Sequence, residues 1–531
     1  MEYKIYIEKI REQLDKMSEA DKTAWIYLQA RTTNEDNRQR FLDSLLGNSG
    51  SNMELTPDEI NKWCEAIESG EIYITRRWEE DYDSWNSWDP DYYDIYVDEY
   101  EIGEFLTKAL RTCRQLIFTK KYDIVCPLLA RITALEVDIC DDYLEGMTLK
   151  DLVRNDVIML NAEEIFTALI YSCYQTYEGR DRLEMMYSYI SRDRDIYMTD
   201  AFAYGPEELQ GIDSFMSEWR DFLVKKPGER AGALLIEASM YIGGEAMLLE
   251  TARKASTLHP ALYEKYCQIM HDSGRHEECI SAAKEALTHI DRNNPVCGSI
   301  SELAIKSGQD NPELIKDFYI SAFCGEPSMY HLLRLFMIDD SKILRQALER
   351  VDSMDNGTSK EIFKFMLGQY DDVIRSYIGE IGDISWPFDP KAVIAYLTFI
   401  ALKKDKLYKT TAEKTMLEEI KKVSRYDSKE SEQFYKLISA WRKSFRIDDN
   451  KKQEYIKWLK SETYRSADDI VENKRRKSYG RAACLIVMLE EILKDNDIEQ
   501  DSSKSAYGYR QRHSTKRAFV RELDAMMCLA V

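Results

Sequence analysis

The stretch from Ala261 to Ile290 constrains the fold of this chain more than any other. Apolar side chains recur there every three or four residues on both sides of Asp272-Ser273-Gly274, which is the spacing of two amphipathic helices. Gly274 can adopt the left-handed conformation that ends a helix. Two helices this short cannot bury their apolar faces alone, so they must stack on neighbouring pairs. We therefore predict an all-α chain built from stacked helical hairpins.

The composition of the whole chain also favours helices. Only 22 glycines and 11 prolines interrupt 531 residues, and 32% of the residues are charged. Helix-forming residues dominate, and few runs show the alternation of apolar and polar residues that a half-buried strand needs. A segment rich in Gly, Ser and Asn at 47–52 has the composition of a flexible linker. We predict an N-terminal helical segment at 1–46, a helical lobe at 53–205 and a helical array at 206–531.

Three short segments resemble the tetratricopeptide repeat. The turn glycine and the small-residue positions of that repeat match Gly274, Cys279, Ala283 and Ala286. The segment 368–374, Gly-Gln-Tyr-Asp-Asp-Val-Ile, resembles the turn motif of the repeat, and residues 121–125 form a less complete copy. These copies do not keep a fixed period along the chain. The predicted architecture is therefore an irregular α-solenoid of tetratricopeptide-like hairpins.

The order of landmarks along the C-terminal part of the chain resembles the helical array that follows a SWIM zinc finger in many bacterial proteins. The matching residues are Trp219, Phe222-Leu223, Leu258 to Tyr263, Ala322-Phe323, Pro327-Ser328, Tyr479 to Ala483, His513 to Phe519 and Glu522-Leu523. The finger itself needs Cys-x-Cys followed by Cys-x-His, and no two cysteines here are two apart. The resemblance therefore implies a helical array without the zinc finger, and it implies no activity.

Charge and cysteine usage indicate a cytoplasmic protein. The formal net charge of −22 repels nucleic acid and anionic membranes over long range and attracts basic partners. The alternative interpretation is that this charge only keeps the protein soluble. The 11 cysteines are scattered singly, as in a reducing compartment. The charged N-terminus lacks the apolar core of a signal peptide. The longest apolar run, Ala392 to Leu402, is too short to span a bilayer and predicts a buried helix.

Residues 78–104 combine aromatic and acidic side chains, and Pro90 prevents one continuous helix there. One interpretation is a loop followed by a helix whose aromatic rings pack against the end of the solenoid. The other is a docking patch for a basic, aromatic-rich partner, or a mimic of a phosphate backbone, because aromatic side chains with a polar group are enriched at interfaces. The residues that we predict to contact a partner are Trp85, Trp88, Tyr92 and Tyr93.

The densest set of metal-ligand side chains is Cys267, His271, His276 and Cys279. Their spacing could serve a tetrahedral zinc site, but both cysteines occupy the small positions where two repeat helices touch. We therefore predict a structural role and no metal. The chain has no glycine-rich phosphate loop and no Gly-x-Ser-x-Gly motif. We predict no cofactor and no catalytic residue.

Basic residues concentrate near the C-terminus of this acidic chain. They are Lys474, Arg475, Arg476, Lys477, Arg510, Arg512, Lys516 and Arg517. Together with Tyr507 and Tyr509 they could follow a nucleic-acid backbone. Alternatively, they pair with acidic neighbours inside the fold.

The function predicted from the sequence is that of a protein–protein interaction scaffold. Stacked hairpins expose a long surface suited to an extended or helical peptide, and the acidity of the chain favours a basic one. The alternative is a nucleic-acid-associated regulatory or effector subunit that uses the basic C-terminal region. A third hypothesis, an enzyme with an unrecognised site, requires a pocket that gathers several carboxylates or histidines.

Overall fold

The computed structural model describes residues 12–33, 54–81, 91–140, 145–308, 312–338, 340–380, 389–404, 410–423 and 431–528, together with Ile10, Arg38, Phe41 and Ile384. The chain divides into two compact units, Met1–Met247 and Leu248–Val531. Helices dominate both, so the all-α prediction is confirmed apart from two small sheets in the first unit. The predicted linker at 47–52 lies outside the described residues.

The helices of the first unit are α1 (Glu19–Thr32), α2 (Pro57–Glu68), α3 (Ile102–Phe118), α4 (Tyr122–Ile132), α5 (Leu149–Arg154), α6 (Ala162–Thr176), α7 (Gly179–Ile190) and α8 (Ile212–Leu223). Helix α6 is central, because it packs against α3, α4, α5 and α7 and buries side chains on most of its surface. Tyr174 of α6 donates a hydrogen bond to the carbonyl oxygen of Gln210 at 2.8 Å and meets the ring of Phe215 at 5.0 Å. The boundary predicted at 205/206 therefore falls inside this unit.

A β-hairpin occupies part of the aromatic, acidic segment where the sequence favoured a loop and a helix. Strands β1 (Thr75–Asp81) and β2 (Asp91–Val97) pair antiparallel, with Thr75 opposite Val97 and Asp81 opposite Asp91. Residues 92–97, Tyr-Tyr-Asp-Ile-Tyr-Val, are rich in the aromatic and β-branched residues that favour a strand. The interpretation of 78–104 as a loop followed by a helix is therefore wrong for 78–81 and 91–97, which form strands. A second, two-residue pairing joins β3 (Glu136–Val137) to β4 (Met147–Thr148).

Helix α9 (Glu229–Ala255) bends at a pair of glycines. Gly243 and Gly244 leave helical geometry there, with φ/ψ of −158/23 and 59/−145 degrees. The same glycines predict a break between helices over 229–242 and 244–257. Among the described residues, α9 is the helix long and apolar enough to cross a membrane. The bend divides it into segments that are each shorter than the about 20 residues needed for a span.

The N-terminal helices of the second unit are α10 (Ala261–Asp272), α11 (His276–His289), α12 (Pro295–Ser307), α13 (Pro312–Gly325), α14 (Met329–Leu335), α15 (Ser341–Asp352), α16 (Thr358–Met366) and α17 (Tyr370–Tyr377). Each helix packs against the next, and α10 and α13 also pack against the next but one. The predicted hairpin at Ala261 to Ile290 is confirmed as α10 and α11, with Gly274 at φ +73° between them. Gly368, at φ +102°, turns the chain between α16 and α17.

The remaining helices pack around a central helix instead of in series. They are α18 (Pro390–Leu402), α19 (Thr411–Val423), α20 (Ser431–Ser444), α21 (Asp449–Glu472), α22 (Tyr479–Asp495), α23 (Ala506–Arg512) and α24 (Arg517–Met526). Helix α22 contacts α18, α19, α21, α23 and α24. Residues 482–489 of α22 are all buried, and a helix that is apolar on every side must be surrounded. The sequence predicted a continued array here, and the observed packing differs from it.

A buried ion pair joins two of these helices. Helix α18 is buried along almost its whole length, as its apolar run predicts. Lys391, near its start, is 1% exposed, and its Nζ lies 3.0 Å from Oε2 of Glu462 on α21. The same ammonium donates to the carbonyl oxygen of Glu380 at 2.9 Å. Helix α21 is continuous through Glu462.

Candidate functional site

A groove in the second unit crosses α11, α13 and α15, the second helices of three successive hairpins. It encloses about 530 Å³, within the usual range for binding pockets. Its floor is formed by α13, where Phe318, Ile320 and Ser321 are buried. Thr288 of α11 and Gln346 of α15 line its sides. The groove therefore combines an apolar base with polar walls.

Three cations stand around this groove. Lys284 of α11, Arg292 beyond that helix and Lys342 of α15 line it, and all three are exposed. Within the part of the chain that the structure describes, none of them has an ion pair. The groove's one acidic lining residue is Asp317, which is also exposed. The groove is thus locally cationic in a chain whose net charge is −22.

Close packing between α12 and α13 fixes the groove floor. A Cβ atom on Gly325 would lie 2.5 Å from the backbone nitrogen of Gly298 and 2.9 Å from the carbonyl oxygen of Asn294. Only glycine at this position lets the two backbones approach so closely. Lys316 of α13 pairs with Asp340 at 3.0 Å, just before α15 begins, which ties the next hairpin to the floor.

The three groove cations were not predicted from the sequence, although a local pattern distinguishes two of them. Lys284 and Lys342 have no acidic residue three or four positions away on their own helices. Most cations on exposed helix faces in so acidic a chain do have one, as Lys254 has Glu250 at 2.6 Å. The three cations lie around one groove because of the way the helices pack. A local sequence pattern cannot predict that packing.

The predicted partner-binding aromatic residues are described only in part. Trp85 and Trp88 lie outside the described residues. Tyr92 and Tyr93 lie on β2, opposite Glu80 and Glu79 of β1, and the structure describes their backbone alone. Their role in docking stays a prediction.

Arginines just before this segment neutralise part of its acidity. Arg76 forms a bidentate pair with Asp94 at 2.8 and 2.9 Å, and Arg77 lies 2.5 Å from Glu99. The guanidinium of Arg76 also covers the ring of Trp78 at 4.6 Å. The segment 78–104 contains no lysine or arginine of its own that could relieve its negative charge. The hairpin places Arg76 of β1 beside Asp94 of β2, and Arg77 beside Glu99, which follows β2.

The cysteines and histidines of the first hairpin have structural partners. Cys267 and Cys279 are fully buried, and the Cys267 thiol donates to the carbonyl oxygen of Cys279 at 3.8 Å. A hydrogen bond between the two thiols lowers the pKa of Cys279 and raises that of Cys267. Nδ1 of His271 lies 2.9 Å from the hydroxyl of Ser307. Among the described residues, no group of three or more Cys, His, Asp or Glu side chains is placed to hold a metal ion.

The eight basic residues predicted near the C-terminus fall into two groups. Arg475 pairs with Asp469 at 2.9 Å, Arg510 pairs with Asp524 at 2.9 Å, and Lys516 donates to the carbonyl oxygen of Val471 at 2.6 Å. The guanidinium of Arg512 covers the ring of Tyr509 at 4.3 Å. No ion pair holds the others within the described chain, and these are Lys474, Arg476, Lys477 and Arg517. Interactions inside the fold therefore account for about half of these eight basic residues.

A smaller pocket of about 350 Å³ lies between α3 and α6 in the first unit. Its one acidic lining residue, Glu164, is paired with Arg114, and Arg111 pairs with Glu54 at 3.2 Å. Burial raises the pKa of Tyr204, which also lines it. Its described lining contains no histidine and no second carboxylate, so it lacks the converging acid and base that the enzyme hypothesis requires.

Comparison with protein families, with curated proteins and with solved structures finds no match to this chain. The resemblance to tetratricopeptide-like arrays therefore rests on the matching residues alone. The function has to be argued from the geometry of the described surfaces.

Proposed function

We propose that this protein is a binding scaffold that holds a segment of a partner protein in the groove across α11, α13 and α15. The observation that supports this most directly is the convergence on one groove with an apolar floor of three cations that have no ion pair among the described residues. Such a combination can recognise a peptide, because apolar side chains fill the base while charged groups fix the orientation.

The serial packing of α10 to α17 favours an extended ligand. We propose that these helices form a short, irregular solenoid of tetratricopeptide-like hairpins, in keeping with the turn glycines Gly274 and Gly368. A helix with its side chains is about 10 Å across, so a ligand that reaches from α11 over α13 to α15 covers roughly 20 Å. An extended chain covers that distance with roughly six residues. The groove thus fits a short linear segment better than a folded domain.

The charge of the groove favours an acidic segment. The net charge of −22 led us to expect a basic partner. Binding depends, however, on the charges that face the ligand, and Lys284, Arg292 and Lys342 outnumber Asp317 there. We propose that the aspartate and glutamate side chains of the partner pair with these cations, and that an aliphatic or aromatic side chain contacts Phe318.

Fluorescence anisotropy with synthetic peptides tests this proposal. The probe is a labelled peptide of about eight residues, mainly Glu and Asp with one central Leu. We expect it to bind at least about tenfold more tightly than a Lys/Arg peptide of equal length, and we expect Lys342→Glu to weaken it by about tenfold (~1.4 kcal/mol). Equal affinity for the two peptides at low salt, or no binding of either, would refute the proposal.

The matched control is Lys306→Glu. Lys306 is exposed on α12, in the middle hairpin of the same stack, and it does not line the groove. The two variants change the net charge equally, so a loss of affinity in both would show long-range electrostatics and contradict a specific site. Loss in Lys342→Glu alone would support the groove.

A further inference from the structure

Four helix ends meet at one end of the second unit. Helix α21 ends there and α22 begins. The ring of Tyr479, at the start of α22, lies 5.6 Å from the ring of Phe519, near the start of α24. Tyr509 of α23 donates to Asp468 of α21 at 2.8 Å, and Lys516, just before α24, reaches Val471. These contacts bring the loop at 473–478 and the loop at 513–516 together.

This meeting point collects most of the chain's C-terminal positive charge. The cations on these segments are Lys474, Arg475, Arg476, Lys477, Arg512, Lys516 and Arg517, and we call them the basic end. The carboxylates of α21 that face them are Asp468, Asp469 and Glu472. Asp469 pairs with Arg475 and Asp468 accepts from Tyr509, so two of the three are already engaged. Positive charge at this end is therefore in clear excess.

The pKa of His513, which lies beside the basic end, is affected by these charges. Partial burial lowers the pKa of His513, and the nearby charges of Lys516 and Arg512 lower it further, although Asp468 and Glu472 raise it. Burial first, and then the charges of Lys516 and Arg512, therefore disfavour the protonated form of His513. Neither cation has an ion pair in the part of the chain that the structure describes. An anion bound at this place would relieve the repulsion.

We propose that the basic end binds the phosphodiester backbone of a single-stranded nucleic acid. Lys474, Arg476, Lys477 and Arg517 are exposed and, within the described chain, have no ion pair, so their charges are available to phosphates. Tyr507 is 63% exposed on α23, the helix that ends at Arg512 of the basic end. An exposed ring on this helix allows stacking by unpaired bases, which a duplex does not offer.

This proposal does not rest on the groove across α11, α13 and α15, since the two surfaces share no residue. It implies that the scaffold holds an acidic protein segment and a nucleic acid at separate places. The overall acidity of the chain slows encounter with nucleic acid, so we expect binding to be measurable at low ionic strength.

Salt-dependent binding of a labelled oligouridine RNA of about 16 nucleotides tests the basic end. Neutralising about four phosphates predicts that log K falls with log salt with a slope of roughly −3. In the variant that changes Lys474, Arg476, Lys477 and Arg517 to alanine, we expect affinity at low salt to fall at least tenfold and the slope to approach zero. Absence of RNA binding at low salt would overturn the proposal, and so would unchanged binding by this variant.

Two further measurements complete the test. One distinguishes single-stranded RNA from other anionic ligands, and the other asks whether a cation that already has an ion pair contributes to RNA binding. A duplex of equal length that binds more tightly, or polyglutamate that displaces the RNA at equal charge, would contradict a single-stranded nucleic-acid site. Arg475→Ala, which removes a cation paired with Asp469, should weaken RNA binding much less than the fourfold variant. Unchanged binding of the acidic peptide by the fourfold variant would show that it is folded and that the groove is separate.

Discussion

Replacing Glu462 by alanine is expected to lower the free energy of unfolding of the second unit by about 3–5 kcal/mol. Glu462 is 4% exposed and lies 3.0 Å from the ammonium of Lys391, which is itself almost fully buried. Without the carboxylate, Lys391 keeps the carbonyl oxygen of Glu380 as its acceptor but no compensating charge. A buried ammonium in that position costs far more than the contacts removed with the glutamate side chain.

Urea unfolding followed by circular dichroism measures this loss as a lower midpoint. Glu454→Ala is the matched control, because Glu454 is exposed on the same helix and should change the stability by no more than about 0.5 kcal/mol. The double variant Lys391→Met with Glu462→Leu removes both buried charges. It leaves Arg465, which also pairs with Glu462 but has a side chain that is 42% exposed, so this variant should be clearly more stable than Glu462→Ala. Similar midpoints for Glu462→Ala and the wild type would contradict a buried pair at this position.

This ion pair also shows where prediction from the sequence succeeded and where it did not. The apolar run of α18 predicted a buried helix, because a stretch without polar residues has no face to offer to water. The partner of Lys391 could not be predicted, since Glu462 is 71 positions later in a chain with 95 acidic residues. Only the packing of α18 against α21 selects one of them.

Local turn chemistry was more informative than long-range charge. The left-handed turn at Gly274 was predicted correctly, because it depends on residues only a few positions apart. The β-hairpin was not predicted, because acidic residues disfavour strands and Pro90 interrupts the segment, although residues 92–97 are rich in strand-forming side chains. The basic partner that the net charge predicts stays a prediction. The groove could not be predicted, because its cations come from α11 and α15, which are far apart in the sequence.

Replacing Gly325 by alanine is expected to lower the free energy of unfolding by about 2–3 kcal/mol and to weaken the groove as a binding site. The added methyl group would lie 2.5 Å from the nitrogen of Gly298 and 2.9 Å from the oxygen of Asn294, which are backbone atoms with little freedom to move. Helix α13 must shift away from α12 to accommodate it. Because α13 carries Phe318 and Ser321, the same shift displaces the groove floor.

The control for this substitution is Gly357→Ala. Gly357 precedes α16 with an extended backbone at φ 176°, and a Cβ atom there would meet nothing within 4 Å. Gly357 is also the N-cap of α16, where alanine is less favourable than glycine. Because alanine restricts the unfolded chain as well, the two effects oppose each other, and the stability should change by no more than about 0.5 kcal/mol. If Gly325→Ala lost stability but bound the acidic peptide as tightly as the wild type, the peptide would have to bind away from α13. The groove would then not be the binding site, although the close contact between α12 and α13 would stand. If neither property changed, the two helices would be farther apart than the distances at Gly298 and Asn294 require.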